Sequence, residues 1–424
     1  MGELLLEFVF FAAGLALFAT LYHVSRGIRS KENLPASVQL LTKARIHYSL
    51  AGVLLGALFP SALYEPMDAL IQFFLVFLGG WFGLVAGCGL DLRVLRRSAG
   101  LPLIFEGVQS VLVAGLVLLA FYLSENLIEG LQRSISGSVL LVICGMIVLG
   151  GRSLNWFQKP KGGRDLPRKG VWQASLTAFW GVLLVGMGSS QLNTAPLQID
   201  YSFLALGKSI IVEGILGELF WSLVLGGIIG LVGDLLTRDV EGDSLFYLVM
   251  GVVLLGSGVA VSLGIDPVWA GMISGLWLIN VTLQRLDIID VLKRATGSAQ
   301  SVLFFLVGWL LGSEFMSYRM DWGIFFWVLS LLLFLRPVAK LGFLLVADRS
   351  WVRHEAKAAN RNAENWLIPD ELVLVIAAGM STVIPPSAGL AVLGAGLAGY
   401  VILLLAGGKV ENLLSRLPPL ANQA

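Results

Sequence analysis

Long apolar runs alternate with short polar breaks from one end of the chain to the other. Several runs reach about 20 residues, the length at which a helix crosses a hydrocarbon layer of about 30 Å. Taken with the breaks, they predict thirteen spans, near 3–24, 46–64, 67–90, 101–122, 136–151, 172–192, 212–236, 244–263, 268–284, 298–313, 322–346, 370–387 and 389–407. Residues 201–211, which include Lys208, read as an amphipathic lead-in to the seventh span. The fold class is an all-α polytopic membrane protein.

Composition agrees. Of 424 residues 57% are hydrophobic and 13% charged, and mean hydropathy is +0.83. Soluble domains carry about 25% charged residues. A net charge of +1 points to no nucleic-acid partner. Cys88 and Cys144 lie inside apolar runs, and His23, His47 and His354 are scattered, so neither a disulfide framework nor a metal site is implied. No phosphate-binding loop, dinucleotide fingerprint or zinc-protease motif occurs, and the chain reads as a non-enzyme without a cofactor. Glu3 and Glu7, rather than lysines or arginines, open the first apolar run, and it lacks a small-residue cleavage site. It is read as a retained helix.

Charge placement gives orientation. With the amino terminus outside, the connections and tail assigned to the inside hold 24 of the 29 basic residues, and those outside hold only Arg133, Lys208 and Arg319. That is a strong positive-inside bias. The last two cations, Arg336 and Lys340, fall within span eleven, in "LLFLRPVAK" (332–340), one helical turn apart and on one face. A cation at the bilayer centre costs at least about 2.5–3.5 kcal/mol, so each calls for a partner, a wet cavity or, for Lys340, a reach to the interface.

Three stretches resemble the cation:proton antiporter family (sodium/hydrogen exchanger-like membrane domains). "LVFLGGWFGLVAGCGLDLRVLRRS" (75–98) is similar to its third span. The run from Val252 to Phe315, including "LGIDPVWAGMISGLWLIN" and "FFLVG", resembles its spans eight to ten, and "LLFLRPVAK" its eleventh. The resemblance implies an inverted repeat of two six-helix halves. A dimerisation part comprises about 1–98 and 244–313, a linker helix about 201–236, and a core part about 101–192 and 322–407, with a short cytoplasmic tail at 408–424. It also implies a homodimer in a plasma (bacterial inner) membrane and exchange of a monovalent cation for protons by an elevator-like motion. Spans five and twelve are expected to be broken helices that cross. Consistent with that, "LVICGMIVLGG" (141–151) and "LVIAAGMSTVIPPSAG" (374–389) share Leu-Val-Ile and a central Gly-Met. Gly145 and Gly379 either break these helices or let neighbours approach.

The family's ion-binding acid belongs on span six, where a carboxylate holds a cation or a proton but not both. Here span six reads "VWQASLTAFWGVLLVGMGSSQL" (171–192), with Thr177, Ala178, Phe179 and Trp180 where acids are expected, and Cys144 and Gly145 stand in place of a polar cluster on span five. Glu106, early in span four, is the best remaining acid, read either as a relocated site or as an interfacial residue paired with Arg96 or Arg97. Glu213 and Glu218 are about 140° apart around a helix and do not share a face. Asp91, Asp234 and Asp266 fall at span ends and are read as capping or solvating those ends.

By the resemblance, Arg336 pairs with the acid. Without one, three roles remain open: neutralising half-helix carbonyls, pairing with Glu106, or binding an anion together with Lys340, Ser381 and Thr382. The basic connection 152–170 is read as topogenic, 348–366 as a helix along the membrane surface, Trp322 and Trp366 as part of an aromatic belt, and Gly226 and Gly230 as a close-packing motif in span seven. Two functions stand: an antiporter-type secondary transporter, or a transport-inactive scaffold or sensor that keeps the fold without the acid.

Overall fold

The computed structural model describes residues 20, 45–58, 64–93, 101–124, 135–149, 168–191, 214–238, 240, 243–282, 284–335, 337–338, 371–381 and 384–414. Among these there is no strand, and there are twelve helices of nine residues or more. They are α1 (Ile46–Leu58), α2 (Tyr64–Cys88), α3 (Leu101–Ser124), α4 (Gly137–Val148), α5 (Arg168–Gln191), α6 (Gly214–Thr237), α7 (Asp243–Ser262), α8 (Pro267–Val281), α9 (Arg285–Ser317), α10 (Trp322–Ser330), α11 (Leu372–Ser381) and α12 (Pro386–Leu414). One helix falls on each expected span from the second to the thirteenth. The first span, Glu213, Arg336, Lys340, Thr382, Trp366 and the segments 201–211 and 348–366 lie outside the described residues, as does nearly all of the connection 152–170.

Among the described residues six helices, α2, α3, α6, α7, α9 and α12, are long and apolar enough to cross a membrane. Local sequence sets several helix starts. Ser136, Asp266 and Asp321 accept from backbone N–H groups in the first turns of α4, α8 and α10, and Pro267 takes the first position of α8, where no N–H is needed.

Close packing rests on glycine. Gly52 and Gly56 of α1 face the Phe305 and Trp309 carbonyls of α9, while Gly308 and Gly312 of α9 face the Ser49 and Val53 carbonyls of α1. The pair α2·α8 repeats this: Gly83 and Gly87 face the Val268 and Met272 carbonyls, and Gly271 and Gly275 face those of Gly80 and Leu84. At each of the eight positions an added Cβ would run into backbone, which cannot move aside. In the expected inverted repeat, spans two and ten exchange with spans nine and three, and the two glycine-matched pairs obey that exchange. Gly226 and Gly230 of α6 likewise meet Ala270, Ile273 and Trp277 of α8, as close-packing residues should.

The second set of contacts builds the other helix group. α4 packs along α5 as an antiparallel hairpin, α11 folds back along α12, and α4 and α11 touch. At 12 and 10 residues, these two helices measure about 18 Å and 15 Å, roughly half a hydrocarbon layer. α4 ends three residues after Gly145 and α11 two after Gly379, so the shared Gly-Met pair marks the end of a half-length helix in both halves. The helix runs unbroken through each glycine, and Gly145 also packs, facing the Gly181 carbonyl of α5. Pro385-Pro386, inside the end of the expected twelfth span, stands outside α11. It is the turn between spans twelve and thirteen, because α11 stops at Ser381 and Gly389 of α12 already lies against the Ser381 backbone.

Candidate functional site

The candidates fall on both sides of the α4–α11 contact. On α3, Glu106, Gln109 and Ser110 are all buried, at i, i+3 and i+4, and so form one polar face. Val108, Val111 and Leu112 on the opposite face are exposed, as lipid-facing residues are. Glu106 is only 2% exposed, and Arg96 and Arg97, its partners in the interfacial reading, lie outside the described residues. Ser110 Oγ donates to the Glu106 carbonyl at 2.7 Å. The next residue, Gly107, lies so close to α5 that an added Cβ would stand 2.7 Å from the Trp180 ring. Glu106 is thereby brought level with the acid-free stretch of span six.

That stretch is filled with rings and apolar surface. Ala178 is buried, Phe179 meets Trp180 edge-to-face at 5.6 Å, and Phe179 also meets Trp269 of α8 at 6.1 Å. Thr177 is buried one turn before Gly181, on the α5 face that meets Gly145. Cys144 Sγ points to the Ala114 carbonyl of α3 at 3.9 Å. Glu106, Thr177, Cys144 and Gly145 therefore share the α3–α4–α5 neighbourhood. Gly379 and Ser381 sit on α11, which packs on α4. Every residue of α11 is buried, and Ser381 Oγ is turned back to the Ala378 carbonyl at 2.8 Å.

Span eleven carries a feature that its apolar sequence hides. After Ser330 the helix widens into a π turn, Leu331–Leu335, which ends at the residue before Arg336 and packs against α3 and α12. Such turns cluster at functional positions.

Three further acids, given no functional role on sequence grounds, are buried: Glu371, Asp266 and, on α6, Asp234. Glu371 heads α11 with no exposed surface; its Oε1 accepts from Gln300 Nε2 at 2.5 Å and from Tyr400 Oη at 3.1 Å. Asp266 caps α8 as expected, its Oδ1 accepting from Val268 N–H at 2.8 Å, yet it too is wholly buried, and burial pushes its carboxyl up to about 6. Asp91 accepts from the Arg93 N–H, again a local cap. Among the described residues no group of His, Cys, Asp and Glu is arranged to hold a metal ion.

With this geometry in view, the fold can be compared with known ones. No family model and no curated protein matches the sequence. The structure is similar to that of the sodium proton antiporter MjNhaP1 from Methanocaldococcus jannaschii, with a TM-score of 0.57 and 11% identity, over 98% of this chain and 99% of that one. The chain has a cation:proton antiporter-like fold along nearly its whole length.

Proposed function

We propose that this chain is a secondary transporter of the monovalent cation:proton antiporter type, in which the coupling carboxylate has moved from span six to Glu106 on span four. The observation that carries the reading is the buried polar face of α3, with Glu106 beside Gly107, the residue that lies against Trp180 at the level where span six has no acid. A carboxylate there binds a proton or a monovalent cation in turn, and Gln109 and Ser110 add neutral oxygens on the same face. The core part, α3–α5 and α10–α12, moves in elevator fashion against a dimerisation part built on α1, α2 and α7–α9, with α6 as the linker helix. The working unit is a homodimer in a plasma membrane.

A second reading, a transport-inactive scaffold or sensor, is favoured by a different observation. Met146 of α4 and Met380 of α11 are buried in the apolar core, and Phe179, Trp180 and Trp269 fill the region where a wet cavity is wanted.

Purified protein in proteoliposomes decides between them. Addition of Na⁺, K⁺ or Li⁺ is expected to dissipate an imposed pH gradient, and Glu106→Gln is expected to cut that rate at least tenfold while leaving the melting temperature within a few degrees. Silence under all three cations from folded protein favours the scaffold.

A further inference from the structure

A chain of buried polar groups crosses between the two helix groups. Arg45, at the head of α1, donates to the Gly297 carbonyl and, at 2.8 Å, to Ser301 Oγ, both on α9. Next to Ser301, Gln300 reaches the other way, to Glu371 Oε1 on α11, the oxygen that Tyr400 of α12 also holds. All five side chains are buried. Phe304, one turn beyond Gln300, meets the Tyr400 ring edge-to-face at 5.3 Å. The Glu371 carbonyl accepts the Leu374 and Val375 N–H groups, which places its carboxylate at the positive end of the α11 dipole. A buried carboxyl group is tolerated only where hydrogen-bond partners surround it.

The position of this bond gives it a role. Arg45, Gln300 and Ser301 belong to helices of the dimerisation part, whereas Glu371 and Tyr400 belong to the core part. A hydrogen bond of 2.5 Å is lost once its atoms separate beyond about 3.5 Å, so it cannot survive sliding of one part past the other. We propose that Gln300–Glu371 is a lock of the transport cycle, closed in the conformation seen here and broken each time the core part moves. Tyr400 travels with Glu371 and keeps the carboxylate aimed, while Arg45 fixes the α9 segment that presents Gln300. The lock rests on the transporter reading above.

Paired cysteines test it. In a Cys88→Ala/Cys144→Ala background, Gln300→Cys and Glu371→Cys are bridged with a short bifunctional thiosulfonate and released with dithiothreitol. The control pair, Ala377→Cys and Gly396→Cys, lies wholly in the core part, with Cβ positions 3.3 Å apart. Bridging 300–371 is expected to cut cation-driven gradient dissipation at least tenfold, with recovery on reduction, while the bridged control keeps its rate. Undiminished transport by the bridged 300–371 protein overturns the lock and leaves the transporter reading standing. So does a reduced 300–371 protein that is silent while the natural chain transports, since losing a lock frees the core part. If the natural chain moves no cation, the transporter reading falls and takes the lock's part in a transport cycle with it, and hydrogen exchange judges whether the contact ties the two parts together. Gln300→Ala is then expected to raise exchange at least tenfold in both Gly297–Phe304 and Val375–Ser381, and unchanged exchange overturns that tie as well.

Discussion

Asp266 offers a stability prediction whose sign follows from the geometry. It lies in the connection between α7 and α8, completely buried, with Oδ1 on the Val268 N–H and Oδ2 lacking a hydrogen-bond partner among the described residues. Burial raises its carboxyl from 3.8 to about 6, against the Val268 and Trp269 N–H groups, which pull it down. Below about pH 4 the folded and unfolded chains both hold the proton, and nothing is lost. Between about pH 4 and 6 the unfolded chain ionises first, so the folded state loses stability. Above that the loss is constant, on the order of 3 kcal/mol. Asp266→Asn keeps an acceptor for the cap and cannot ionise. Its amide nitrogen has a fixed cost of its own, so the informative quantity is how the difference between variant and natural protein changes with pH. Melting in detergent from pH 4 to pH 8 is the assay; groups shared by both proteins cancel. The melting-temperature difference is expected to shift in favour of the variant by about 5 °C between pH 4 and 6 and then level off. A difference flat across that range, or moving toward the natural protein, refutes the account.

Two other substitutions probe the packing. Gly52→Leu and Gly271→Leu each force a side chain into a backbone carbonyl across a helix pair and are each expected to cost about 3 kcal/mol or to prevent folding, while Gly115→Leu, which meets nothing within 4 Å, melts like the natural protein. Ser136→Ala removes the acceptor for the Val139 N–H at 3.3 Å and is expected to destabilise α4 by about 1 kcal/mol, visible as faster hydrogen exchange in Gly137–Val148 with α8 unchanged.

What the sequence revealed depended on whether the information was local. The apolar runs located the helices because each run must satisfy its backbone groups by itself in lipid. The end of α4 beyond Gly145 was also legible, because glycine and the repeated Leu-Val-Ile are in plain view. The turn at Pro385-Pro386 falls inside the end of the expected twelfth span because prolines forbid a helix without saying whether the chain crosses on or turns back; Gly389 against Ser381 decides that. Glu371 stands at the edge of the expected twelfth span with no local motif to mark it. Its partners are remote in sequence, Gln300 and Tyr400, and no pattern near "PDELV" announces either. The glycine pairs were countable, but not which helix each would face. The π turn in "LLLFL" has no compositional mark at all.

The two halves differ in an instructive way. Packing is repeated: Gly52 and Gly56 have counterparts in Gly271 and Gly275, Gly83 and Gly87 in Gly308 and Gly312, and the Gly-Met pair closes both half-length helices. Each half faces the same steric problem and solves it with the same residues. The buried acids are not repeated. Counted back from the Gly-Met pairs, the counterpart of Glu371 is Gly137, which has nothing within 4 Å of an added Cβ. Glu106 stands on span four, and its repeat mate, span eleven, is apolar from Trp322 to Leu335. A requirement of the fold arises twice in a doubled architecture and leaves paired traces, whereas a requirement of chemistry at one shared site arises once. The unpaired traces, Glu106 in one half and Glu371 in the other, are therefore the positions where, on the proposed transporter reading, substitution should separate transport from folding.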